Sequence, residues 1–284
     1  MVLGIDWTIE SELIEGRPTP NLYGLLFVTG MMIGYYIIRK LFRSEGIPEN
    51  HLDKLLLYVV PATIVGARLG HVFFYDWDYY KNHLGDIYKV WEGGLASHGA
   101  AIVILIMLYV YSRRVTHRPM FWILDRIVAP IAIAGCCIRL GNLVNHEIIG
   151  TPTDLPWGFK FMNAGSEYEI NGEQVYRHPT QLYEAILYLI SFVVLYRMLW
   201  KTKAKETPGR IFGMFMLLVW SARFIAEFVK VGQTARDDVW MFNTGQVLSI
   251  PFILIGIYLL FRKVGPKEME RFQLTPVFDV EKGK

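Results

Sequence analysis

Charge is what this sequence has least of. Only 19% of its 284 residues are Asp, Glu, Lys or Arg, whereas 53% are hydrophobic, a balance that argues against a water-soluble domain and for a membrane protein. The formal net charge of +3 and the lack of a continuous basic run give no footing for nucleic acid. Cysteine is scarce too. Cys136 and Cys137 are adjacent within an apolar run, which speaks against a structural disulfide or a thiolate metal site. His98, His146 and His178 lack short-range ligand spacing, so no metal is expected, and no cofactor is implied. There is no Gly-x-Ser-x-Gly elbow, phosphate loop or dinucleotide fingerprint, so the usual soluble-enzyme motifs are missing. The first twenty residues have no basic n-region and no apolar core. They carry Asp6, Glu10, Glu12 and Glu15 before Arg17 and read as a retained arm, with Trp7 as an interfacial residue.

What the sequence has in abundance is apolar runs. Crossing about 30 Å of hydrocarbon takes about 20 residues, and seven stretches qualify, near 21–41, 54–75, 94–112, 121–140, 181–200, 211–229 and 245–262. Lys and Arg gather in alternate connections: Arg39, Lys40 and Arg43; Arg113, Arg114 and Arg118; Arg197 through Arg210; and Arg262, Lys263 and Lys267. The intervening connections hold Asp76, Asp78 and Asp86, or Asp237 and Asp238. Since basic loops stay cytoplasmic, the expected topology has the N-terminus outside and the C-terminus inside. The fold class is an all-α polytopic membrane protein, seven transmembrane helices with a small extracytoplasmic head. In domain terms, 1–20 is an N-terminal arm, 21–262 a seven-helix body with 141–180 as the head insertion, and 263–284 a cytoplasmic tail. Asn171-Gly172 between strand formers in Tyr168–Tyr176 predicts a β-hairpin in the head. Gly30-x-x-x-Gly34 and Gly66-x-x-x-Gly70 read as close helix packing.

Given that topology, the intramembrane polar residues are distributed unevenly. Arg68 and His71, Arg139, Arg223 and Glu227 fall in the outer parts of their spans, as do Tyr23, His98, His178 with Gln181 and Glu184, and Gln246; only Asp125 and Arg126 lie toward the inner side. Polar groups are costly there and mark tasks or partners. Two arginines on one side suit an anion, because a guanidinium grips phosphate oxygens through paired hydrogen bonds, and a lipid headgroup is the nearest phosphate. Each residue also has a structural reading. Arg223 and Glu227 stand at i and i+4 and pair equally well with each other, Arg68 and His71 read as a structural pair, His98 as a core histidine, and Asn142 and Asn145 as helix-end caps.

The stretch Arg139-Leu-Gly141-Asn142-Leu-Val-Asn145-His-Glu147-Ile-Ile-Gly150 resembles the bacterial prolipoprotein diacylglyceryl transferases. So do Ser97-His98-Gly99, Arg177-His178-Pro179-Thr-Gln181-Leu-Tyr183-Glu184, Arg223-Phe-Ile-Ala-Glu227-Phe and Gly245-Gln246-Val-Leu-Ser249-Ile-Pro251. The resemblance implies transfer of a diacylglyceryl group from phosphatidylglycerol to the lipobox cysteine thiol of a preprolipoprotein signal peptide, in the bacterial cytoplasmic (inner) membrane. It also implies functional roles. Arg139 and Arg223 would hold phosphate, and His98 would serve as base or phosphate ligand. Tyr23, Asn142, Asn145, Glu147, Gly150, His178, Gln181, Glu227 and Gln246 would form the substrate-binding set. Two positions depart from the pattern: Val219 stands where the family often has tyrosine, and Ala100 where a second glycine often follows His-Gly. The competing class is a transporter or flippase of anionic lipid headgroups, for which paired broken helices in related repeats would be expected; a membrane scaffold ranks third.

Overall fold

The computed structural model describes residues 4–14, 16–232 and 242–273. Asp237, Asp238, Glu15 and the tail beyond residue 273 lie outside the described residues. Seven helices are long and apolar enough to cross a membrane, and they coincide with the seven runs. They are α1 (Leu22–Ser44), α2 (Glu49–Phe74), α4 (Ser97–Tyr111, continued by a π turn to Thr116), α5 (Met120–Val144), α6 (Thr180–Lys201), α7 (Arg210–Ala226) and α8 (Thr244–Phe261). The short helices α3 (Trp77–Tyr80) and α9 (Pro266–Gln273) complete the set. The chain is a multi-pass membrane protein. The third span starts at Ser97, later than hydropathy suggests, because Gly93 (φ 88°) and Gly94 (φ 67°) adopt a left-handed backbone that a helix cannot include.

The chain divides into two compact units. One comprises residues 39–124 and 265–273. Here α2 and α4 approach to backbone contact: a Cβ on Gly66 would lie 2.8 Å from Gly99 O, and one on Gly70 would lie 2.6 Å from Gly99 Cα. The small-residue spacing therefore does the packing expected of it. Tyr111, fully buried, donates to His51 O at 2.9 Å.

The other unit comprises the described residues within 4–38 and 125–264. Ile133, Cys136, Ala185, Tyr188 and Ala222 form its core, with Leu140 and Val219 packed against it. The two cysteines are buried and free, and they act as small apolar residues. Asp125 is fully buried and accepts from the backbone N–H groups of Gly209 and Phe212, both at 2.8 Å. It thereby satisfies the exposed donors at the start of α7, which no lipid could do.

The head is built on a three-stranded sheet of order β1-β4-β5, from β1 (Ile5–Trp7), β4 (Phe159–Phe161) and β5 (Tyr176–Arg177). β1 runs parallel to β4 with Ile5 opposite Phe159, and β5 is antiparallel to β4. The N-terminal arm is thus part of the head, which hydropathy did not show. Trp7 stacks on Phe159 at 5.1 Å and donates to Leu143 O at 3.0 Å. The arm continues through a ribbon of β2 (Glu12–Ile14) and β3 (Arg17–Asn21). The predicted hairpin turn is present: Asn171 (φ 55°) and Gly172 (φ 79°) are both left-handed, as a type I′ turn requires. Its ladder is a single residue pair, Ile170 and Glu173.

Candidate functional site

The last two turns of α5 put Arg139 and Asn142 on one face, three residues apart. Arg139 Nη1 donates to Asn142 Oδ1 at 3.3 Å. Asn142 Nδ2 and Asn145 Nδ2 in turn donate to the two oxygens of Glu147, at 3.0 and 3.1 Å. The chain then turns through His146 (φ 54°) and Ile148 (φ 59°). A β-branched residue there costs of order 1–3 kcal/mol and persists only if its surroundings enforce it. They do: Gln181 Nε2 donates to Glu147 O at 2.5 Å, Thr180 Oγ1 to Ile148 O at 2.7 Å, and His146 Nε2 to Ile9 O at 2.8 Å. Glu147 has a fixed backbone and an exposed side chain.

Gly150 comes next. Its N–H donates to His178 O at 3.1 Å, and it forms an antiparallel bridge with Lys230, flanked by Thr151 N to Val229 O at 2.9 Å. A Cβ on Gly150 would lie 2.5 Å from His178 O and 2.7 Å from Val229 O, so only glycine admits these backbones. That bridge positions a residue the sequence reading missed. Lys230 is buried, with Nζ 3.2 Å from Glu184 Oε2 and 3.1 Å from Glu227 Oε1.

Around Lys230 the charges alternate. Arg139 Nε lies 3.1 Å from Glu184 Oε2, and Arg223 Nε lies 3.8 Å from Glu227 Oε1. Arg139, Lys230 and Arg223 against Glu184 and Glu227 give three positive and two negative charges, an excess of one positive. Glu184 is fully inaccessible to solvent, and burying its charge is tolerable only because two cations face it. Asn243 holds Glu227 from the other side, donating to its O at 2.9 Å and its Oε2 at 3.2 Å. Gln246 completes a capping box with Asn243 at the start of α8, and both ends of its amide are engaged with backbone.

The arginines keep unspent donors. Arg223 lies 5.8 Å from the Trp220 ring and, among the described residues, its terminal nitrogens make no hydrogen bond. Arg139 sits 6.0 Å from the Tyr188 ring, with Nη1 on Asn142, Nε toward Glu184 and a further hydrogen bond to the Tyr188 side chain. Tyr23 packs its ring on Gly141, where a Cβ would lie 2.7 Å from Tyr23 Cδ2. His178 Nδ1 lies 3.3 Å from the Tyr183 hydroxyl, which also receives Trp157 Nε1 at 2.9 Å. Burial pulls the His178 pKa below its ordinary value, favouring the neutral ring. In one unit, then, the structure assembles Arg139, Asn142, Asn145, Glu147, Gly150, Gln181, Arg223, Glu227 and Gln246, and adds Lys230 and Glu184.

His98 belongs to the other unit. It is the second residue of α4, exposed, with Phe74 and Tyr75 each 5.5 Å away. It is not a buried core histidine. With His71, Tyr75, Leu95, Ala96 and Ser97 it lines an open groove of about 260 Å³. Arg68 and His71 are not paired with each other. Arg68 donates to Ile87 O, Gly93 O and Asp86 O at 2.8, 2.6 and 2.7 Å, and His71 Nε2 lies 3.5 Å from Asp76 Oδ2.

A sequence model described as "Prolipoprotein diacylglyceryl transferase" matches residues 14–262. The chain belongs to the prolipoprotein diacylglyceryl transferase family. Proteins named phosphatidylglycerol–prolipoprotein diacylglyceryl transferase resemble it along nearly their whole length. The Tolumonas auensis protein is 43% identical over 255 residues, 89% of this chain and 95% of that one. The Chloroherpeton thalassium protein is 40% identical over 268 residues, 94% and 97%. The Porphyromonas gingivalis protein is 44% identical over 269 residues, 92% and 95%. Val219 packs against the apolar core.

Lys230 escaped sequence reasoning because it follows an apolar run as Phe228-Val-Lys230-Val-Gly232, where a lysine ordinarily snorkels to the interface. The available signal was Gly150, whose close approach to another backbone implied a strand partner.

Proposed function

We propose that this protein transfers the diacylglyceryl group of phosphatidylglycerol to the lipobox cysteine of a preprolipoprotein, the first step of lipoprotein maturation, in the bacterial cytoplasmic membrane. The cysteine thiolate attacks the glyceryl carbon that bears the phosphate. An S–C bond forms, the C–O bond to phosphate breaks with its electron pair on oxygen, and glycerol phosphate leaves. The substrate supplies the sulfur, so Cys136 and Cys137 need no chemical part.

The observation that carries this reading is the pair of arginines held by buried carboxylates with guanidinium donors left over. In our reading Arg223 and Arg139 bind the phosphodiester and stabilise the negative charge that grows on the departing phosphate. Lys230 pairs with both Glu184 and Glu227, and each carboxylate in turn holds its arginine. Glu147, Asn142 and Asn145 position the substrate glycerol through hydrogen bonds. We assign the thiol proton to His98, whose imidazole is exposed at the start of α4 and is the side-chain type most often used for proton transfer. We read the N-terminal arm and the head, residues 141–180, as outside and the tail from 263 as inside, because basic connections are expected to stay cytoplasmic.

The test supplies purified protein with phosphatidylglycerol and a lipobox peptide, and mass spectrometry follows the peptide. Addition of a diacylglyceryl group with release of glycerol phosphate is the expected result. An unmodified peptide together with lipid moved between leaflets would replace the transferase with a flippase. His98→Gln is expected to suppress turnover while lipid binding persists; an unchanged rate and pH profile would remove His98 from the proton step.

A further inference from the structure

The connection between α2 and α4, residues 75–96, carries an unusual surface. Trp91, Tyr88 and Leu84 are 70%, 67% and 64% exposed, and Trp77 is 44% exposed. In water such a display would be a liability. Its position gives it a partner. At about 1.5 Å per residue the 26 residues of α2 run about 39 Å, longer than about 30 Å of hydrocarbon, so the end of α2 stands at headgroup level.

From there the chain folds back. Arg68 lies six residues before the end of α2, about 9 Å below it by the same rise. Yet its guanidinium holds the carbonyls of Asp86, Ile87 and Gly93, and the N–H of Ala96 reaches Ala67 O at 2.9 Å. Both the middle and the end of the connection are therefore drawn down beside the outer turns of α2. The charged residues on it are largely neutralised in place: Lys81 with Asp78 at 2.6 Å and Lys89 with Asp86 at 2.7 Å. Self-paired charges flanked by Trp and Tyr suit the headgroup zone, where an amphipathic ring meets apolar chains on one side and water on the other.

We infer that residues 75–96 form a plate lying in the phospholipid headgroup layer, with Trp77, Leu84, Tyr88 and Trp91 facing lipid and Arg68 as the pin that holds it down. The plate is continuous with the lipid-facing band of α2, where Phe73 and Phe74 are exposed. It carries Tyr75 and Leu95, two walls of the His98 groove, so the groove opens at the depth of lipid phosphates. The inference needs only that α2 and α4 span a bilayer, and it survives if the transferase chemistry does not.

The test uses full-length protein in nanodiscs of phosphatidylcholine and phosphatidylglycerol, with Cys136→Ala and Cys137→Ala as background. An environment-sensitive dye is attached at Trp91→Cys, at Tyr88→Cys, or at Glu173→Cys on the turn of the head as the aqueous control. The expected result is blue-shifted emission at 88 and 91. Headgroup-proximal doxyl lipid should quench these sites at least about twofold more than doxyl at the chain end, as the interface location requires. Aqueous iodide quenching equal to that at 173, with no doxyl quenching, overturns the plate. Stronger quenching by chain-end doxyl overturns its headgroup depth. Adding Arg68→Met should shift position 91 toward the aqueous pattern; an unmoved label would remove Arg68 as the pin.

Discussion

Arg68 and Arg223 are the same residue in similar settings, each near the end of a membrane helix, and they put their donors to opposite uses. Arg68 gives Nε, Nη1 and Nη2 to three backbone carbonyls. Arg223 is held loosely by Glu227 at 3.8 Å and, among the described residues, spends no terminal nitrogen on the protein. A charge within a span is thus a poor marker of function until its hydrogen bonds are counted. The arginine that gives all three nitrogens to the protein is a fastener, and the one whose terminal nitrogens are left over is the one we propose as the receptor for an anion.

Mutations separate the two roles. The largest effect is expected from Lys230→Met, which removes the cation shared by two buried carboxylates. Breaking one side of a buried ion pair costs about 3–5 kcal/mol, and both thermal stability and turnover should fall, with Lys230→Arg restoring much of each; a stable, fully active Lys230→Met protein would dissolve the network. Next comes Arg223→Lys, which keeps the charge and loses the planar fork. Turnover should drop about 10²-fold, in the range of one lost transition-state donor, with weaker inhibition by glycerol phosphate and an unaltered melting temperature. Arg68→Met should do the reverse, costing about 2 kcal/mol of stability while glycerol phosphate inhibits as before; a lost inhibition there would break the contrast.

The smallest effect concerns pH. Burial lowers the His178 pKa from its ordinary value of 6.5, so the unfolded chain binds the proton more readily than the folded one. Stability from this group is complete above about 6.5 and declines as pH falls toward the folded value. The melting temperature of His178→Gln should therefore lose less between pH 7 and pH 5 than that of the unaltered protein.

The seven spans were legible because lipid imposes a length and a composition that hydropathy measures directly. The Asn171-Gly172 turn was legible because both residues tolerate a left-handed backbone. Arg139, Glu147 and Gly150 stood out as polar or glycine positions where an apolar run stops. Lys230 did not, because its burial follows from a bridge to a glycine 80 residues earlier in the chain. The role of Arg68 was equally hidden: its partners are carbonyls, which every residue has. β1 gave no signal either, since three residues hold too little periodicity to announce a strand.

That strand governs the order of assembly. Ile5 pairs with Phe159, 154 positions later, so β1 cannot find its place until the four spans between them have been made. At about 5–20 residues per second this leaves the arm waiting roughly 10–30 s. During that interval three backbone donors and acceptors and the Trp7 ring have no native partner. The head sheet is complete only when β1 is captured by β4, so removing Ile5–Trp7 should leave the spans inserted and the sheet unfinished.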